Sequence, residues 1–223
     1  MLQCKKSMLP QRTTGAIVDG LNDVDHDVVM FEANPKGRFD LKSGTLYALF
    51  GENCWIYYGQ VSTEETIGFF RRRDREVAPV DKILNAPLMS VIGVSYPSIT
   101  RALRSGRWKK LGRFELASEL QELPPTVQWP VGTLDVTVWI RGEAAYETKV
   151  DDPAIQTFEL IASWDAEEHI PARLTADFGQ EEGEWHIGGP IFRERKIKEE
   201  FAARFPDQPW NALPSDWVPT SVR

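Results

Sequence analysis

Cysteine is scarce in this 223-residue chain: only Cys4 and Cys54 occur, too few for a disulfide framework, so a reduced pair and a cytoplasmic setting are expected. Long apolar runs are missing as well. No stretch approaches the roughly 20 apolar residues that a membrane-spanning helix needs. The opening MLQCKKSMLPQRTTG lacks an apolar run of signal-peptide length, so neither secretion by that route nor a membrane partner is expected. Histidine is limited to His26, His169 and His186. None sits in an HExxH or CxxC context, so no metal is expected; with no P-loop and no GxGxxG, neither is a nucleotide cofactor. No fixed-period repeat is present, which excludes solenoids.

Two motifs come close and fail. Asp23-Val-Asp25-His-Asp27 imitates the start of a calcium loop, but Val28 stands where glycine must turn the chain and Asn34 where a bidentate glutamate belongs. Gly93-Val-Ser95-Tyr-Pro97 imitates a nucleophile elbow with proline in place of the second glycine, and the chain lacks alternating β/α units, so Ser95 reads as a helix-flanking residue. Carboxylates are plentiful, but no motif singles out a pair at glycosidase separation. No catalytic residue can be nominated, and the protein is not expected to be an enzyme. A site assembled only in three dimensions, from converging carboxylates or His186, stays open.

What is present is an ordinary globular composition, 42% hydrophobic and 26% charged, with an uneven charge. The net charge of −7 comes from 33 acidic and 26 basic residues. Residues 1–142 carry 16 acids and 18 bases, residues 143–184 carry 12 and 2, and residues 185–223 carry 5 and 6. The acidic excess therefore lies in one stretch.

The first 27 residues form a polar lead-in. Residues 28–142 read as β-rich, with short strands at 27–31, 45–50, 54–61, 66–71, 88–94, 108–112 and 134–141 and a helix at 96–106. Gly51-Glu-Asn53 supplies the turn of a hairpin. Beyond 142 the period changes. Asp152-Pro153 is an N-cap followed by an N1 proline, and Ile155, Phe158, Ile161 and Ala162 predict a helix over 153–164. A second helix is predicted over 190–205, with Ile197, Phe201 and Phe205 as its apolar stripe. The tail from Pro209 to Pro219, with Trp210, Leu213 and Trp217, reads as an extended segment docked on the body. Strands first and helices later define an α+β fold: a twisted antiparallel meander or partly open barrel, with the acidic helical segment and tail of 143–223 packed on it as one compact unit.

Two charged features can meet a partner. Arg71-Arg-Arg-Asp-Arg75 and the six basic residues from Arg101 to Arg113 lie near Tyr57, Tyr58, Phe69, Phe70 and Trp108, a combination suited to single-stranded nucleic acid. The same charges also fit a strand end and a solvated helix face. The net negative charge disfavours nucleic acid as the partner. Asp151, Asp152, Glu159, Asp165, Glu167, Glu168, Glu181, Glu182 and Glu184 are either solvated residues or a patch that steers a basic protein partner.

Ser43-Gly-Thr-Leu-Tyr-Ala-Leu-Phe50 followed by Trp55-Ile-Tyr-Tyr-Gly-Gln-Val61, and later Ser105-Gly-Arg-Trp-Lys-Lys-Leu-Gly112, resemble elements of the immunity protein 26 family of bacterial polymorphic-toxin systems. The resemblance spans roughly residues 40–125, about two-fifths of the chain. It implies a stoichiometric inhibitor that binds a cognate toxin domain and occludes its active site or substrate cleft. A nuclease toxin with a basic cleft would suit the acidic stretch as a phosphate mimic.

Overall fold

The structure is a computed structural model, and it describes residues 30–179 and 189–220. The lead-in, including Cys4, His26 and the calcium-loop imitation, lies outside the described residues, as do His186, Glu181, Glu182 and Glu184.

The expected meander is present and curls into a half-barrel. β1 (Thr45–Phe50), β2 (Ile56–Val61), β3 (Ile67–Asp74) and β4 (Leu88–Val94) pair in succession as antiparallel neighbours. β5 (Trp108–Arg113) returns to the free edge of β1. Two short helices interrupt the series, α1 (Val80–Leu84) and α2 (Tyr96–Arg104). Residues 45–49 and all of β2 are buried without alternation, the mark of a sheet covered on both faces. Tyr47, Leu49, Tyr57, Val61, Ile67 and Phe69 close one face over Ile99, Ala102 and Leu103 of α2 and over Trp108. Leu46, Ala48, Tyr58 and Phe70 pack the other face against Ile83 of α1.

A second sheet is made of β6 (Thr126–Gln128), β7 (Asp135–Ile140), β8 (Glu143–Lys149) and the two-residue β9 (Glu159–Leu160), in the order β8-β7-β6-β9. Val127, Val136, Val138, Val150 and Ile155 bury its inner face against Ile191 of α4 (Gly189–Arg204). The β7–β8 turn at Arg141 and Gly142, both at positive φ, falls where composition places the border between the two regions.

The helix expected over 153–164 does not form. Asp152 caps a single 3-10 turn, Pro153–Ile155. The chain then extends, so that β9 pairs in parallel with β6 and β10 (Ser163–Trp164) pairs in parallel with β4. Of the apparent helical stripe, Ile155 is buried while Ile161 is 55% exposed. Open edges of two sheets offer this segment backbone partners, and tertiary pairing overrides a short local period. A helix not anticipated from the sequence, α3 (Ile170–Phe178), follows and seats Ile170 and Leu174 in the half-barrel core.

α4 forms as expected, but its stripe faces elsewhere. Ile191, Arg193 and Arg195 are its buried residues, whereas Phe201 is 43% exposed. Ile197 and Phe201 instead line a groove of about 240 Å³ closed by the tail. The tail, expected to be extended, opens on a 3-10 turn at Pro209–Asn211 with Trp210 64% exposed, and it meets the body through Trp217. Trp217 stacks on Trp129 at 5.9 Å and donates its indole N–H to Glu199 at 2.9 Å. Cys54, in the one-turn helix Glu52–Cys54, is not a free thiol, which departs from the reduced pair expected. No helix among the described residues is long and apolar enough to cross a membrane.

Candidate functional site

The segments that carry the family resemblance assemble into one unit. β1 pairs with β2 on one side, from Leu46 opposite Gln60, and with β5 on the other, from Thr45 opposite Arg113. Their motif residues have identifiable work. Gln60, fully buried, donates to the carbonyls of Gly44 and Glu115 at 3.3 and 3.0 Å and accepts from the Ala117 amide at 2.9 Å. Trp108 packs on Tyr47 and Phe69 and donates its indole N–H to the Ala166 carbonyl at 3.1 Å. Gly44 has φ +86°, and a Cβ there would lie 2.2 Å from the Phe114 carbonyl oxygen. A side chain is thus excluded by both conformation and space.

The nominated acidic residues separate into different roles. Asp152 accepts from the Ala154 amide and the Thr148 hydroxyl, and these bonds hold its carboxyl below the usual range. Glu159 is drawn inward to Arg173, whose side chain is only 3% exposed. Arg173 also bonds Asp177 at 3.2 Å, and Asp177 in turn meets Arg193 of α4 at 3.3 Å. That buried network joins β9, α3 and α4. Asp151 lies exposed beyond β8.

Asp165, Glu167 and Glu168 gather on the loop before α3, beside α2. Arg101 reaches across to Asp165 at 2.6 Å and to Glu167 at 3.2 Å, and the Ser105 hydroxyl donates to Glu167 at 2.9 Å. Burial raises the Asp165 pKa, but the amides of Glu167 and Glu168 and the Arg101 charge outweigh it, leaving the carboxyl below its ordinary value. His169 is held in the same loop, accepting from the Asp165 amide at 3.4 Å. Across α2 from this cluster, on its Tyr96-Thr100 side, two aromatics stand open to solvent. Phe39, 45% exposed, packs on Tyr96, 37% exposed, with ring centroids 5.5 Å apart. Tyr96 donates to Glu65 at 2.9 Å, and this bond to a carboxylate raises the phenol pKa. Phe39 and Glu65 were not apparent as site residues from the sequence, because only the folded loops bring them to α2. Ser95 sits at the N-cap of α2 as expected.

The two basic segments differ sharply. Besides Arg101, Arg104 donates to the Gly37 carbonyl, Arg107 to that of Glu167 and Arg113 to that of Ser43, while Lys110 pairs with Asp40. Their charges serve the fold. At the end of β3, Arg72 is likewise paired, with Asp74 at 2.8 Å. Arg71, Arg73 and Arg75, on alternate residues, have no carboxylate within 4 Å among the described residues and lie over rings instead. The Arg73 guanidinium lies 4.5 Å from the Trp55 centroid and 4.3 Å from that of Phe178, and Arg75 lies 3.6 Å from Trp55.

Among the described residues no group of three or more His, Cys, Asp or Glu is placed to hold a metal ion. No family model, no curated protein and no solved structure matches this chain.

Proposed function

We propose that the protein is an immunity protein, a stoichiometric inhibitor that binds a cognate bacterial toxin domain in the cytoplasm and covers its active site or substrate cleft. The observation that carries this reading is the pair of surfaces flanking α2, with the acidic trio Asp165, Glu167 and Glu168 along its Ser98-Arg101-Ser105 side and the exposed pair Phe39 and Tyr96 along its Tyr96-Thr100 side. Aromatic anchors and complementary charge presented from the two sides of one helix make a productive docking surface. The rings supply the desolvated centre, and the carboxylates steer encounter with a basic cleft such as a nuclease presents. Arg101 neutralises part of the acidic charge but also holds two of the carboxylates in fixed positions, which lowers the ordering cost on binding. The family resemblance lies in the half-barrel that carries α2, so the proposed face and the resembling unit are parts of one body.

The test is co-purification with the product of a toxin-like reading frame adjacent to the gene, followed by titration of purified variants. Tyr96→Ala and the double charge reversal Glu167→Lys/Glu168→Lys are each expected to weaken the complex at least a hundredfold. Full affinity in both variants overturns the α2 face as the interface. Failure of the wild-type protein to bind or protect against the toxin overturns the function.

A further inference from the structure

The arginines at the end of β3 are not used by the inhibitor reading. Arg71 and Arg73 lie in the second half of β3, beyond a register shift at Phe69 and Phe70, and Arg75 follows in the bend just after the strand, so all three stand past the core. Two rings tie the three cations together: Arg71 and Arg73 lie over Phe178, and Arg73 and Arg75 lie over Trp55. Clustered cations repel one another, and a protein ordinarily interleaves carboxylates; among the described residues the neighbours here are the rings of Trp55 and Phe178. Arg71 and Arg75 each donate to one backbone carbonyl, of Asp177 and Asn53 respectively. Arg73, half-buried between the two rings, has no hydrogen-bond partner among the described residues. Stacking fixes a guanidinium plane and leaves its N–H edge directed away from the rings, and that edge is the part that takes an oxyanion through two parallel bonds.

We infer that Arg71, Arg73 and Arg75, backed by Trp55 and Phe178, form a binding site for a short chain of phosphate groups, either an inorganic polyphosphate or the phosphate tail of a nucleotide. Charge balance points to several linked phosphates, since three cations with no carboxylate within 4 Å among the described residues exceed what one phosphate monoester neutralises. The rings favour this ligand over a nucleic-acid strand. Guanidiniums already lie over both Trp55 and Phe178, which limits the ring surface left for base stacking, the interaction that single-strand binders depend on.

The experiment is calorimetric titration of the full chain at low salt with inorganic tripolyphosphate, ATP, orthophosphate and a short oligothymidylate. Tripolyphosphate should bind one to one and at least tenfold tighter than orthophosphate; ATP at equal strength assigns the site to the phosphate tail alone, and ATP stronger than tripolyphosphate to a nucleotide. Arg73→Gln and Arg75→Gln should each weaken binding at least tenfold, and Arg73→Lys should weaken it less, because charge survives while the planar fork is lost. Lys109→Gln, on the exposed edge strand β5, should leave binding unchanged. Arg75 is exposed, so its variant keeps the test valid if Arg73→Gln folds poorly. No tripolyphosphate binding at millimolar concentration, or equal loss in Lys109→Gln, overturns the site. Tighter binding of oligothymidylate than of tripolyphosphate overturns it in favour of a nucleic-acid strand.

Discussion

The two basic segments look alike in sequence and have opposite fates in the fold. From Arg101 to Arg113, five of six cations meet carboxylates or carbonyls contributed by the loops at 37–43 and 165–167. From Arg71 to Arg75, among the described residues, only Arg72 does so with a carboxylate, and the other three lie over aromatic rings. The difference teaches that a basic run is informative only once its counter-charges are located. Part of the acidic stretch is already paired with the rest of the chain: Asp165 and Glu167 hold Arg101, and Asp177 meets Arg193, while Glu159 pairs with Arg173 inside the stretch. The local net charge that first marked this stretch as an interface is therefore smaller at the surface than along the sequence.

Substitutions can break or sharpen this contrast. The largest effect is expected where the pairing is most buried. Arg173→Met leaves Glu159 and Asp177 without their shared cation, and urea denaturation should show a loss of about 3–5 kcal/mol. A smaller loss would mean that water compensates the network.

High pH should come next. Burial raises the phenols of Tyr47 and Tyr58 to about 12, above the ordinary value near 10. Their contribution is complete below about pH 10 and is lost as pH rises toward 12, so stability should fall steeply over that window. Tyr47→Phe, which keeps the ring, should flatten the decline, as followed by circular dichroism. At the exposed Arg101 bridge the effect shrinks: Arg101→Gln should cost at most about 1 kcal/mol, because solvent screens the pair. The Asp165 carboxyl is held low, so its stabilisation is present above about pH 4 and fades as pH falls through its depressed value. The Arg101 variant should show a weaker acid dependence. The smallest change is expected at Arg75→Gln, whose melting temperature should stay within a degree or two of wild type while anion binding is lost. A large drop would place Arg75 with the structural cations and erase the contrast.

Much of the half-barrel was legible in the sequence because its strands are dense in aromatic and β-branched residues and its turns in glycine. The strands at 45–50 and 88–94 and the helix from Tyr96 could be placed that way. The second sheet was only half legible. Val136 and Val138 alternate clearly, but β8 is exposed along most of its length and carries no apolar period to read. The segment 153–164 misled because its partners, β6 and β4, are distant in sequence, and nothing local records an edge waiting to be filled. α3 was hidden by the charges around it, although Ile170, Leu174 and Phe178 are spaced one turn apart. The site suffered for the same reason. Asp165 and Glu167 were visible as charges, whereas their neighbours Arg101, Tyr96, Phe39 and Glu65 come together only through tertiary contact.

The pair of dipeptide strands at 159–164 has a kinetic consequence. β9 can add to the second sheet only after β6 is in place, and β10 to the half-barrel only after β4. Both steps close long loops for few hydrogen bonds, which makes them late events in a pathway governed by loop entropy. Weakening this segment should then speed unfolding while leaving the rate of refolding nearly unchanged. Such an outcome would make six residues, rather than either core, the timekeeper of the native state.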